Sequence, residues 1–194
     1  MNQMKFRALS FAVAIGVAGM TMVGCTTTSS SAEASGPTAR AAMDQNVDAT
    51  LQRLYKAAPG SQELVQRAAG VLVFPGVVGG SFVVGVDHGK GALREGGKTT
   101  GYYATTGGSI GFQAGGQSKA VVYVFNTNDA LNKFKNSNGW SAGADATVAA
   151  GKIGANGSID TETIKQPISS FVLTNVGLEA GAAVGAAKIS PAKL

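Results

Sequence analysis

"GGSFVVGVDHGKGALREGGKTTGYYATTGGSIGFQAGGQ" runs from Gly79 to Gln117 and decides the fold. Glycine recurs through it without the three-residue period of collagen, and Val, Phe, Tyr and Ile are too frequent for a disordered linker. The stretch reads as a series of short β segments broken by glycines. "REGGKT" (Arg94–Thr99) fits a hairpin turn, in which Gly96 and Gly97 take positive φ. Glycines inside strands mark bulges, bends or close backbone approach. Each weakens a strand by roughly 0.5–1 kcal/mol, so this many imply a strongly curved sheet rather than merely poor strands.

The neighbouring segments agree. "GVLVFPG" (Gly70–Gly76) is a short apolar run rich in branched residues, and "KAVVYVFN" (Lys119–Asn126) is another strand. "TNDALNKFKNSN" (Thr127–Asn138) is helical, with Thr127 or Asn128 as cap and Leu131 and Phe134 on the buried face. "GWSAGADATVAAGKIGANGSIDTETIK" (Gly139–Lys165) returns to β alternation, with "GANGS" as a turn. "PISSFVLTN" and "GLEAGAAVGAAKI" supply the last strands.

Upstream, "RAAMDQNVDATLQRLYKAAPG" (Arg40–Gly60) places Met43, Val47, Leu51 and Leu54 on one helical stripe, ended by Pro59 and Gly60. "SQELVQRA" then opens a second short helix with Ser61 as its N-cap. The expected class is α+β: N-terminal helices followed by a curved, glycine-rich antiparallel β-sheet, barrel- or sandwich-like, with one inserted helix.

The first residues are of another kind. "MNQMKFR" carries Lys5 and Arg7 and no acid, and Ala8–Gly24 carries no charge. That is the length of a signal peptide and short of the roughly 20 apolar residues of a membrane span. Next, "MVGC" puts a small residue before Cys25, the one cysteine of the chain, and "TTTSSSAEASGPTA" follows as a flexible linker. The segment resembles the lipobox of bacterial lipoproteins, although Met22 stands where Leu is usual. The resemblance implies a signal peptide over 1–24, diacylglycerol and a fatty acyl group such as palmitate on Cys25, a linker over 25–39 and a domain over 40–194. Thr26 is not the Asp that holds Gram-negative lipoproteins in the inner membrane, which implies the periplasmic face of the outer membrane.

Removal of the first 24 of 194 residues leaves 170, enough for one ordinary domain. The formal charge falls from +5 to +3 as Lys5 and Arg7 leave. The remaining basic residues are scattered among acids, which excludes a nucleic-acid footprint.

A family resemblance covers the domain. "AAGVLVFPGVVGGSFVVGVDHGKGAL", "GYYATTGGSIGFQAGGQSKAVVYVF", "NDALNKFKNSNGWSAGADATVAAG" and "GLEAGAAVGAAKI" together, from Ala68 onward, resemble the SYLF domain. The resemblance implies a lipid-binding module. Eukaryotic members bind phosphoinositide membranes and some bind actin filaments; bacterial members are commonly exported proteins or lipoproteins. It leaves two readings: a domain that binds anionic phospholipid or phosphoinositide-like headgroups, or an envelope protein-interaction module whose acyl anchor is its sole lipid contact.

Catalytic signatures are missing. His88 is the one histidine; it lies in the turn-like "VDHGKG" and reads as an exposed loop residue, and no metal site or cofactor is expected. No serine sits in G-x-S-x-G. "GVDHGK" is one residue short of a phosphate loop, with Gly91 where a Ser or Thr would hold magnesium. Asp160 and Glu162 alternate in "IDTETI" and share a strand face. Gly177, Gly181 and Gly185 have the spacing of a membrane-helix motif, but Glu179 and the short apolar run favour a strand. Tyr102 and Tyr103 are adjacent, so one faces in and one out, and Trp140 covers one end of the sheet; a core or rim role is expected for all three, with a lipid-facing role for the outward tyrosine as the alternative. Lys90, Arg94 and Lys98 gather around the hairpin and are the candidates for headgroup binding.

Overall fold

The computed structural model describes residues 36–81, 84–110, 117–154, 157–175, 177–179 and 187–194. Cys25, the signal segment and most of the linker lie outside the described residues, as do Gly181 and Gly185.

Helices α1 (Pro37–Ala57) and α2 (Ser61–Arg67) precede long strands β1 (Gly70–Ser81), β2 (Val84–Glu95), β3 (Lys98–Ile110) and β4 (Gln117–Phe125). Helix α3 (Asn128–Lys135) follows, then β5 (Trp140–Ser141), β6 (Ala149–Ala150), α4 (Thr161–Lys165), β7 (Ile168–Thr174), β8 (Gly177–Glu179) and β9 (Ala187–Pro191). One sheet runs β5-β9-β3-β2-β1-β4-β7-β6, with β8 paired to β7. It is curled into a half-barrel and is antiparallel except where the two-residue β6 runs parallel to β7. The expected α+β architecture is present. The segment from Trp140 to Ala150 passes from one edge strand of the sheet to the other, and its Ala142, Ala146 and Val148 pack on the inside.

The four long strands run through their glycines instead of breaking at them. "VDHGKG" is therefore the middle of β2 and not a turn. Both faces of the first part of β1 are covered, which is why Val71, Leu72, Val73 and Phe74 are all buried and the run is continuously apolar. Leu72 and Phe74 point inward with Leu93, Tyr123, Phe125, Ile168 and Ile189. Val71 and Val73 point outward with Ala92, Val122 and Val124, beneath Val47 and Leu54 of α1 and Leu64 of α2. Inside, Trp140 is 2 % exposed, and its ring meets Phe134 at 5.6 Å and Tyr123 at 5.9 Å between centroids. Trp140 thus takes the core role expected of it, inside the sheet rather than over its end. Burial pushes the Tyr123 phenol far above its ordinary value, so it stays neutral.

The curl has a local cause. Pro75 occupies a central strand, where its missing N–H is tolerated because the registers of β1 with β2 and with β4 both shift there. At this bulge the backbones approach. A Cβ on Gly91 would overlap the carbonyl oxygen of Val73, and one on Gly89 would lie 2.8 Å from that of Gly76. At the far end of β2, Gly96 (φ 55°) and Gly97 (φ 80°) form the expected hairpin turn.

Some local expectations need correction. Helix α1 begins at Pro37, within the stretch read as linker, because proline suits a first helical turn. Ser61 is the first residue of α2, not its cap; Gly60, in the left-handed region, holds that position, and the Ser61 hydroxyl donates to Leu54 O at 3.3 Å. Among the described residues between Gly139 and Lys165, only β5 and β6, two residues each, are strands. Asp160 and Glu162 do not share a strand face: Asp160 caps α4, accepting from Glu162 N at 3.4 Å, as a short acidic side chain prefers. Thr127 caps α3 as expected, accepting from Ala130 N at 3.3 Å.

Gly91→Ala should destabilise the domain by about 2 kcal/mol or more, because backbone rather than a flexible side chain stands in the way. Urea unfolding checks this, and a wild-type midpoint would show that the approach at the bulge is not required.

Candidate functional site

The three basic residues named from the sequence do not form one cluster. Lys90 lies mid-strand in β2, opposite Gly76 on one side and Ala104 on the other. Arg94 is on the same outer face, four residues closer to the hairpin turn. Its Nη2 is 2.8 Å from Asp48 Oδ1 and donates to Asp44 O at 3.1 Å, while Nη1 donates to Gly97 O at 3.0 Å. Its side chain is 15 % exposed, and Nε is buried without a protein partner. Arg94 therefore holds α1 and the hairpin turn together. Thr99, opposite Arg94, reinforces the joint by donating to Asp44 Oδ1 at 2.7 Å. Lys98 pairs with Glu95 across the turn and belongs to the opposite face, since strand side chains alternate. On that face Glu95 accepts from Lys135 of α3 at 2.9 Å.

The tyrosine pair divides as expected. Tyr103 packs inward on Phe134 at 4.9 Å between centroids, and Tyr102 faces outward. Tyr102 is not bare: the Arg40 guanidinium of α1 stands 6.0 Å from its ring. Burial raises the hydroxyl of each above its ordinary value, more than the neighbouring charges do.

His88 is exposed on β2, with Nδ1 3.4 Å from Thr106 Oγ1. No group of three or more His, Cys, Asp or Glu side chains suited to a metal ion occurs among the described residues. A cleft of about 340 Å³ lies between α2 and α4, floored by Leu64, Ile159 and Ile164 and rimmed by the Glu63–Arg67 pair. Asn126 lines it, but its Oδ1 is buried and its amide nitrogen is already bound to Gln166 O at 2.7 Å. Nothing in the sequence marked this cleft, because it is made by residues from four separate segments. No helix among the described residues is long and apolar enough to cross a membrane.

The family model Ysc84, described as a Las17-binding protein actin regulator, matches residues 106–193, from the distal half of β3 through β9. Residues 106–193 thus match the SYLF domain family. SYLF domains are known as lipid-binding and actin-regulator modules, and the family is not known as catalytic. No curated protein matches the chain. The matched segment contains the inserted helix α3, the core tryptophan and the edge strand β9, while Lys90, Arg94 and Lys98 lie before it.

Two outcomes follow for the joint at Arg94. Arg94→Ala should cost about 1–3 kcal/mol, because Asp44 O and Gly97 O lose their donor and α1 its hold. Asp48→Asn should cost under about 1 kcal/mol, since that carboxylate is largely exposed and screened. Urea unfolding with hydrogen exchange of α1 separates the two. For Glu95, the Thr100 hydroxyl foremost, then Lys135, lower the pKa below its ordinary 4.5. The stabilisation is complete above pH 4.5 and is lost as pH falls through the depressed folded-state value. Glu95→Gln should remove that part of the acid sensitivity, read as a flatter dependence of the unfolding midpoint below pH 4.5.

Proposed function

We propose that the protein is a non-catalytic envelope lipoprotein, acylated at Cys25, whose SYLF domain binds anionic lipid headgroups, of phospholipids or phosphoinositide-like. The observation that carries the reading is the SYLF match over residues 106–193, since lipid binding is a known property of that family. The lipobox-like "MVGC", the uncharged stretch before it and the polar linker after it support the anchor and an address on the periplasmic face of an outer membrane. An acylated Cys25 would hold the domain within a short tether of the bilayer, so weak headgroup contacts suffice.

The second reading is a protein-interaction module of the envelope. The description of the matched family as a Las17-binding actin regulator favours it. In that case the acyl chains are the only lipid contact, and a protein partner is recovered by crosslinking in intact envelopes.

Co-sedimentation of residues 36–194 with vesicles decides between them. The lipid reading expects binding to vesicles containing phosphatidylglycerol or a phosphoinositide, several-fold above neutral phosphatidylcholine and weakened by salt. Absence of binding to every anionic or native envelope lipid overturns it. Separately, the mass of the N-terminal peptide from cells should correspond to a chain beginning at acylated Cys25; a chain beginning at Met1 refutes the anchor.

A further inference from the structure

Helix α1 covers only part of the outer face of the sheet. Its Val47 and Leu54 lie over Val71, Val73, Ala92, Val122 and Val124, in the half nearer the Gly96–Gly97 turn. Beyond that half, the registers set out row by row the surface that no helix among the described residues covers. Gly76, Lys90, Ala104 and Ser190 align across β1, β2, β3 and β9. The next row is Ser118, Val78, His88, Thr106 and Lys188. Gly80, Val86 and Gly108 form a third.

Three properties of this surface belong together. Most of its positions are glycine, alanine, serine or threonine, so it is flat, and five strands at the usual spacing make it about 19 Å wide. Val78 and Val86 stand out of it on neighbouring strands, 58 % and 65 % exposed, while Val77 beside Val78 is in the core. The charged residues on it are Lys90 and Lys188. On β1–β4 and β9 this outer surface carries no acid among the described residues. Asp87 faces the other way and accepts from Lys119 Nζ at 2.8 Å. At the β5 edge, Asp145 accepts from the Ser141 N–H at 2.6 Å.

We infer that this face is where the domain lies against an anionic bilayer, an inference that rests on the lipid-binding reading. A flat surface of small residues brings the sheet backbone close to the headgroups. The two valines then reach the boundary between headgroups and acyl chains, and the lysines meet lipid phosphates. The other two residues named from the sequence take no part: Arg94 is engaged by α1, and Lys98 is on the opposite face.

The test uses the full chain with Cys25→Ser, inserted into vesicles through its apolar N-terminal segment. A single cysteine, Val78→Cys, Val86→Cys or Ile164→Cys, carries an environment-sensitive fluorophore, and nitroxide-labelled lipids serve as quencher. Ile164 is 43 % exposed in α4, by the cleft at the opposite end of the sheet. Near-UV circular dichroism of the Trp140–Tyr123 core confirms that each chain is folded. Probes at 78 and 86 should be quenched in vesicles containing phosphatidylglycerol and not in pure phosphatidylcholine, while the probe at 164 stays in water. Replacing Lys90 or Lys188 with Ala should lower the docked-to-undocked ratio by about fivefold each. If 164 is quenched and 78 and 86 are not, or if none is quenched although residues 36–194 sediment with anionic vesicles, the face is misassigned and the lipid reading stands. If the fragment binds no vesicle, both fall. Shielding of 78 and 86 that tracks protein concentration instead of anionic lipid overturns the inference in favour of a second copy of the chain.

Discussion

Where β1 bulges at Phe74–Pro75, the backbone of β2 lies so near that its inward-facing positions, Gly89 and Gly91, have no room for a Cβ. Much else depends on that approach. It curls the sheet, and the curl brings β9 and β7, from the far end of the sequence, to where their Ile189 and Ile168 share one interior with Leu72 and Phe74. Before the bulge, strand alternation turns Val71 and Val73 outward, onto the face that α1 covers. A flat sheet of the same strands would leave Trp140 and Phe134 without a shared core.

The sequence displays the first half of this chain of causes and hides the second. Apolar runs such as Gly70–Gly76 and Lys119–Asn126 are legible because both faces of those strands are buried, and the Gly96–Gly97 turn is legible because positive φ favours glycine. The same glycine density misled at Asp87–Gly91. Glycine at a close approach within a strand and glycine at a break look alike until the neighbouring backbone is known. Residues 139–165 misled for a different reason: alternation of small residues resembles a strand, yet the segment works mostly by spanning the sheet's edges, and the Asp160 cap outweighs the alternation around it.

For the site, legibility stopped at residue type. Lys90, Arg94 and Lys98 are close in sequence, and spacing four residues apart along a strand says nothing of partners on a helix roughly forty to fifty residues upstream. Asp44 and Asp48 capture Arg94, and the turn places Lys98 on the other face. Lys188, which the registers bring to the row beyond Lys90, was beyond reach of any local reading, since β9 joins β3 only through the overall topology.

The filled interior also limits what kind of lipid contact could be proposed. Barrels that enclose a ligand leave their centre open. Here the rings of Phe125, Phe134, Tyr123 and Trp140 occupy it, with centroids 5.0 to 6.3 Å apart and each residue nearly fully buried. An acyl chain could enter that space only by displacing aromatic side chains, each of which costs about 3–5 kcal/mol to lose from a core. The lipid recognition proposed for this domain would therefore be a matter of its surface, of charge and of how closely the backbone can approach. On that proposal glycine, alanine and serine on the outside of the sheet would be an asset, because no larger side chain would hold the strands away from the headgroups.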